Sequence, residues 1–346
     1  MTGRVAVLCG LGAWVPPRVV TNHDLSAVLD TSDEWIRIRT GIEQRYLVDA
    51  GMATSDLAVE AGRRAIESAG PGLIGAVVLA TTSPDQLCPG TAPQVAARLG
   101  LVDVPAFDIA AACGGFVYGL TVASSLVQTG LADRILLIGA EAFSTMVNQN
   151  DRQTAVLFGD GAGAVVLRAG EMDEPGEVGP FDLGSDGSGF DLLAVSAGGS
   201  RRRFVDEQEG DRPDGTPSPE YFLHMDGQEI FRHAVGRMTG SALALLEQVG
   251  WPTDTVDAFA AHQANLRIVS MVASRVGIPA ERCLTNADRV GNTLTASLPT
   301  LLAASAAKGL LRPSDRVLMT AFGAGLTWGS AAMTWPQITP CLDTIP

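Results

Sequence analysis

The sequence predicts an α/β fold built from two similar halves that share one core. Three observations carry that prediction. Strand-like and helix-like apolar patterns alternate along the chain, the same order of elements occurs twice, and each round ends in a glycine-rich stretch followed by a strand. In the first round, residues 55–69 place apolar side chains at helical spacing and stop at Gly70. GAVVLATT at 75–82 is a short continuous apolar run, the mark of a strand buried on both faces. A strand follows at 105–111, a helix at 113–129 closed by Gly130, and a strand in RILLIG at 134–139. FGDGAG at 158–163 reads as a turn into a strand over 164–167. The second round gives a helix at 228–249, a strand at 256–261, helices at 266–276 and 298–308, and a strand at 316–320. It ends in the turn FGAG at 322–325 and a strand at 329–334. Glycine, proline and acidic residues gather near 170–180, so the halves are expected at 1–172 and 173–346. Residues 200–219 are the most polar stretch and read as an exposed loop.

Composition narrows the function classes. With 46% hydrophobic and 18% charged residues, the 346-residue chain can bury a large core, which excludes general disorder. A net charge of −14 argues against nucleic acid as a partner. The five cysteines (9, 88, 113, 283 and 341) are odd in number, far apart and without a CxxC pair. That is neither a disulfide framework nor a zinc site, so no metal is expected, and a reducing cytoplasmic setting fits. The N-terminal apolar run has no cleavage-site pattern. The uncharged span between Asp108 and Asp133 contains Gly114, Gly115, Tyr118, Gly119, Ser124, Ser125 and Gln128, so it reads as a helix enclosed by protein and not by membrane. Gly10 and Gly12 after the first strand lack the third glycine of a dinucleotide loop and read as a strand turning into a loop.

One residue stands out as a nucleophile. Cys113 lies between a strand and a helix that opens with Gly114 and Gly115, where exposed amides and the helix dipole favour thiolate. His262, at the end of a strand, begins HQAN, and Asn292 sits in the turn Gly291-Asn292-Thr293 before a helix. Taken singly, a buried cysteine is more often packing and a Gly-Asn-Thr is ordinary turn chemistry.

Together with TSDEWIRIRTG at 31–41, AACGG at 111–115, FGDGAG at 158–163, HQANLR at 262–267, GNT at 291–293 and AFGAGLTWGS at 321–330, these residues give the chain a resemblance. It resembles the β-ketoacyl-[acyl-carrier-protein] synthase III family of the thiolase superfamily over nearly its whole length. The resemblance implies a five-layered αβαβα sandwich. It also implies an acyltransferase that condenses an acyl-CoA primer with malonyl-[acyl carrier protein], initiating fatty acid or polyketide synthesis. A non-decarboxylating acyltransferase of the same fold is the alternative. By motif, Cys113 would accept the acyl group, with His262 and Asn292 completing a triad. Phe322, Gly323 and Ala324 would form the oxyanion loop. Trp35, Arg39 and Arg152 would hold the adenine end of coenzyme A, with Asn265 and Phe231 also in the substrate-binding set. Arg267, Arg232 and Arg275 would form a basic rim for the acidic carrier protein. Leu87 and Cys88 would border the primer pocket, Cys88 standing where some relatives have a phenylalanine that reaches across the dimer. The resemblance further implies a homodimer, coenzyme A thioester as substrate only, and no permanently bound cofactor. In three respects the chain departs from the family: the segment after Asn292 reads Thr-Leu-Thr-Ala-Ser, Ala324 replaces a common glycine, and the Arg201–Arg203 run has no counterpart.

Overall fold

The computed structural model describes residues 3–202 and 218–343. In chain order the strands are β1 (Arg4–Trp14), β2 (Arg18–Thr21), β3 (Gln44–Leu47), β4 (Ala76–Ala80), β5 (Ala106–Ile109), β6 (Arg134–Glu141) and β7 (Gly161–Glu171). They continue with β8 (Val178–Ser185), β9 (Leu193–Val195), β10 (Leu223–Met225), β11 (Ala258–Ala261), β12 (Arg316–Gly323), β13 (Thr327–Thr334) and β14 (Cys341–Leu342). One large sheet runs β14-β1-β7-β6-β4-β5 and the other β11-β12-β13-β8.

The two sheets repeat one pattern. In the first, β1–β7 and β7–β6 are antiparallel and β6–β4 is parallel. In the second, β8–β13 and β13–β12 are antiparallel and β12–β11 is parallel. Even β5, parallel to β4, has a trace in the second half, where Phe259 of β11 bridges in parallel to Cys283. The duplication expected from the sequence is therefore a repeat of topology, strand by strand. β14 then pairs parallel to β1, so the end of the chain rejoins the first sheet.

Side-chain alternation sets the layers. Ile135 and Leu137 of β6 face a central core that includes Phe116, Leu120 and Leu301, and Val317 and Met319 face it from β12. Leu136 and Ile138 point the other way, onto Leu57, Ala61 and Ala65 of the helix Thr54–Ala69. Leu318 points away from the centre too, into the cluster made by the helices Gly227–Val249 and Leu266–Val276. With period-two strands, the buried residues of the two large sheets pack onto helices on both faces. The result is helix, sheet, helix, sheet, helix: the five-layered αβαβα sandwich. The central layer holds the helices Gly115–Gln128 and Ser297–Ala307. The first is the uncharged span noted above, enclosed by two sheets, and among the described residues no helix is long and apolar enough to cross a membrane.

Glycines mislead in two places, for one reason. Gly10 and Gly12 do not end the first strand; β1 runs on to Trp14 because its glycines admit a helix. A Cβ on Gly12 would lie 2.4 Å from the Ala65 amide nitrogen. Gly161 and Gly163 belong to β7 and not to a turn, and a Cβ on Gly163 would lie 2.7 Å from the Pro299 ring. Absence of a side chain here serves close packing and not chain reversal. The helix expected at 113–129 is divided, a short 3-10 turn at Ala112–Gly114 preceding Gly115–Gln128. Residues 203–217 of the expected polar loop, Arg203 among them, lie outside the described residues; Arg201 and Arg202 are exposed, and Arg202 pairs with Glu220.

Candidate active site

The two central helices begin side by side, and the segments that lead into them carry the site. Cys113 lies in the 3-10 turn before Gly115–Gln128. Asn292 precedes the matching 3-10 turn, Leu294–Ala296, before Ser297–Ala307. His262 follows β11 directly, its amide donating to the Thr320 carbonyl of β12 at 2.8 Å. All three side chains line one cavity of about 370 Å³, together with Phe231, Asn265, Phe322, Gly323 and Ala324. These eight residues are scattered between positions 113 and 324 of the sequence, and the fold brings them around one cavity.

Backbone hydrogen bonds lace the two halves together at Asn292. Its amide donates to the Leu157 carbonyl at 2.9 Å, and its own carbonyl accepts from the Gly159 amide at 3.0 Å. The FGDGAG stretch is thus the shelf on which the Gly-Asn-Thr turn rests. The Asn292 side-chain oxygen accepts from the Leu294 amide at 3.1 Å, which fixes the amide's orientation. Across the cavity, Gly323 sits against the nucleophile's backbone: a Cβ there would lie 2.6 Å from the Cys113 amide nitrogen and 3.0 Å from that of Gly114. Thr327 holds this approach, its hydroxyl within 2.9 Å of the Ala111 carbonyl and 3.2 Å of the Ala324 carbonyl.

Electrostatics correct one expectation. Cys113 is buried, and burial pushes its thiol up to about 12, with the negative charge of Glu141 adding to the rise. Its own backbone amide acts in the opposite direction, as a helix N-terminus should, but loses to desolvation. Cys113 therefore rests as a thiol and not as the thiolate that its sequence position suggested. Burial likewise drives His262 down to about 4, so the ring is neutral. Neither of its nitrogens has a hydrogen-bond partner among the described residues, which leaves both free to face a reacting group. A neutral imidazole and a neutral thiol thus line the same cavity.

The other expected residues spread outward from the cavity. Asn265 lines it and caps the helix Leu266–Val276, its side-chain oxygen accepting from the Ile268 amide at 3.0 Å. Trp35 lies outside it, with the Arg39 and Arg152 guanidinium groups 4.3 and 5.3 Å from its ring. It shares an apolar cluster with Leu157, which does line the cavity. Arg267 is exposed and lies 5.7 Å from the ring of Phe231. Arg232 is exposed and paired with Glu229 at 2.5 Å, and Arg275 is exposed in the last turn of its helix. Leu87 and Cys88 do not reach the Cys113 cavity within the chain; both are exposed, Leu87 over an adjoining open groove.

Several contributors carry no motif. Leu193 and Val195 of β9 and Leu223 and Met225 of β10 form much of the cavity's apolar wall. Those strands are three residues each, too short for a pattern to register. Glu141 had a usable signal, a carboxylate ending an eight-residue strand that is otherwise nearly all buried and apolar.

Comparison with known proteins agrees with this geometry. Family models for 3-oxoacyl-[acyl-carrier-protein (ACP)] synthase III match residues 107–187, and for its C-terminal part residues 246–335. The chain is 53% identical over 339 residues to a β-ketoacyl-[acyl-carrier-protein] synthase III of Streptomyces coelicolor, covering 97% of this chain and 99% of that one. The crystal structure of 3-oxoacyl-(acyl carrier protein) synthase III from Pseudomonas aeruginosa superimposes with a TM-score of 0.89 at 46% identity, covering 97% of this chain and all of the other. The priming β-ketosynthase of the R1128 polyketide pathway superimposes with a TM-score of 0.85 at 34% identity, over 96% of each chain. A duplicated five-layered fold, a cysteine, histidine and asparagine lining one cavity, and close relatives over nearly the whole length lead to one conclusion: the chain belongs to the 3-oxoacyl-[acyl-carrier-protein] synthase III family.

Proposed function

We propose that this protein condenses an acyl-CoA primer with malonyl-[acyl carrier protein] to give 3-oxoacyl-[acyl carrier protein], coenzyme A and carbon dioxide. The observation that carries the reading is the placement of Cys113, His262 and Asn292 on one apolar cavity, with Gly323 against the Cys113 amide. In the first step the Cys113 sulfur attacks the primer carbonyl as its proton passes to His262. The thioester oxygen gathers negative charge against the Cys113 and Gly323 amides, and the coenzyme A sulfur leaves with a proton. In the second step the malonyl thioester loses carbon dioxide. Its enolate oxygen is held by the His262 N–H and the Asn292 NH2, neither acidic enough to quench the carbanion. The carbanion then attacks the Cys113 thioester, and the Cys113 sulfur is released and takes up a proton.

The same reading gives roles farther out. Trp35, Arg39 and Arg152 offer a flat ring and two guanidinium groups to the adenine and phosphate end of coenzyme A. Arg267, with Arg232 and Arg275, offers positive charge to an acidic carrier protein, which acts mostly on encounter rate. The reading includes a cytoplasmic homodimer in which Leu87 and Cys88 of one subunit border the primer pocket of the other. Edge strand β5 carries half-exposed Phe107, and Leu87 is three-quarters exposed, as a covered face would require. It also divides the chain into halves at 172/173. Relatives' names leave both fatty acid and polyketide priming as uses of this chemistry.

The test is an incubation with radiolabelled acyl-CoA primers and malonyl carrier protein, following acyl-enzyme and carbon dioxide together. Wild-type protein should show both, and Cys113→Ala neither acyl-enzyme nor condensation product. Condensation by Cys113→Ala at the wild-type rate would overturn the assignment.

A further inference from the structure

Glu141 ends β6 and is fully buried, and among the described residues no cation pairs with it. Isolating a carboxylate from water without a counter-ion is costly unless donors surround it. Here they do. The Thr82 amide donates at 3.0 and 3.1 Å, the Ser83 amide at 3.1 Å, the Ser83 hydroxyl at 2.7 Å and the Thr295 hydroxyl at 2.9 Å. These donors come from both halves of the fold. Thr82 follows β4 and lines the Cys113 cavity. Thr295 belongs to the second half, three residues past Asn292, in the turn whose Leu294 amide holds the Asn292 side chain. Thr295 is also wedged tightly: a Cβ on Gly115 would lie 2.9 Å from its methyl, and one on Gly139 2.4 Å from its carbonyl oxygen.

We propose that Glu141 is a positioning residue of this site, its carboxylate locking the Leu294–Thr295 turn of the second half onto the Thr82–Ser83 loop of the first, so that Asn292 is held at its working distance from Cys113. The proposal rests on the reading of Asn292 as a group that serves malonyl decarboxylation. Burial raises the Glu141 carboxyl to about 7 against those hydrogen bonds, a cost the fold accepts for the connection. Gln at this position can keep the link. Its oxygen would still accept from Thr82 and Ser83, and its NH2 would donate to the Thr295 hydroxyl, which can turn to the Ala80 carbonyl 3.0 Å away. Ala cannot.

The experiment compares Thr295→Val, Glu141→Ala and Glu141→Gln with wild type in three readouts: acyl transfer to Cys113, carbon dioxide release from malonyl carrier protein, and thermal unfolding. A misplacement of 1 Å costs on the order of 100-fold in rate, so Thr295→Val and Glu141→Ala should lose about tenfold or more in decarboxylation. Acyl transfer should stay within about twofold in Thr295→Val, which keeps the Glu141 charge that acts on Cys113. Glu141→Gln should recover most of the decarboxylation. Undiminished decarboxylation in Thr295→Val, equal losses in both steps that track the unfolding temperature, or a Gln variant as poor as Ala would each overturn the proposal. Wild-type protein that is acylated yet releases no carbon dioxide would overturn the reading of the reaction, and the positioning role with it.

Discussion

Ala112 and Leu294 hold the same left-handed backbone, with φ of 44° and 48°, each at the first residue of the 3-10 turn that leads into a central helix. A strained residue therefore recurs at the matching place in both halves, one just before Cys113 and the other two residues past Asn292. A side chain in this region costs roughly 1–2 kcal/mol, and such strain persists where surrounding structure demands it. Here the demand is directional. The kink brings the Cys113 backbone close against Gly323 and turns the Leu294 amide onto the Asn292 side chain.

Ala112→Val should destabilise the protein by about 2 kcal/mol or more, because a β-branched side chain tolerates positive φ worse than alanine does. Ala112→Gly should leave the unfolding temperature nearly unchanged. Thermal denaturation of the two variants decides it, and a Val variant as stable as wild type would mean that the backbone relaxes freely.

Gly323→Ala places a methyl where the Cys113 amide nitrogen now lies 2.6 Å away, so one segment must move. Acyl transfer to Cys113 should fall by about 100-fold, the usual consequence of a 1 Å displacement at a reacting group. Burst labelling with radioactive acyl-CoA measures this directly; an unaltered burst rate would remove Gly323 from the oxyanion loop.

Asn292→Ala separates the two steps. Removing one oxyanion donor costs about 10²–10³ in rate, so carbon dioxide release should collapse while Cys113 is still acylated. Should acylation fall as far as decarboxylation, Asn292 has another role.

Stability should depend on pH through His262. Its ring titrates near 4 in the folded protein and near 6.5 when unfolded, so the unfolded state binds the extra proton in between. Stability is then complete above about pH 6.5 and declines as pH falls toward about 4, by on the order of 3 kcal/mol from this group. The difference in stability between wild type and His262→Gln, followed by denaturant titration at several pH values, should shrink across that window. A constant difference would show that the ring is not held neutral by burial.

Arg267→Glu reverses an exposed charge beside Phe231 at the cavity. The apparent KM for malonyl carrier protein should rise, more at low salt than at high, while acyl-CoA affinity stays the same. Equal KM values at low ionic strength would leave Arg267 as a solvated surface residue.

What the sequence determined by itself was the alternation, the duplication and the candidate side chains of the site. Apolar periodicity is local, so β6, the helix Thr54–Ala69 and the helix Leu266–Val276 were legible within a few residues. Cys113, His262 and Asn292 were legible as candidates through the motifs AACGG, HQANLR and GNT taken together, not singly. Tertiary structure decided the rest. Gly12 and Gly163 read locally as turn residues, yet they sit inside strands because a helix from a distant segment presses on them. The charge states of Cys113 and His262 were also beyond the sequence, since burial under two sheets outweighs the local helix terminus. Glu141 shows the limit most clearly. Its strand is predictable, but the partners that make it matter come from loops 58 and 154 positions away, and only packing brings Ser83 and Thr295 to one carboxylate.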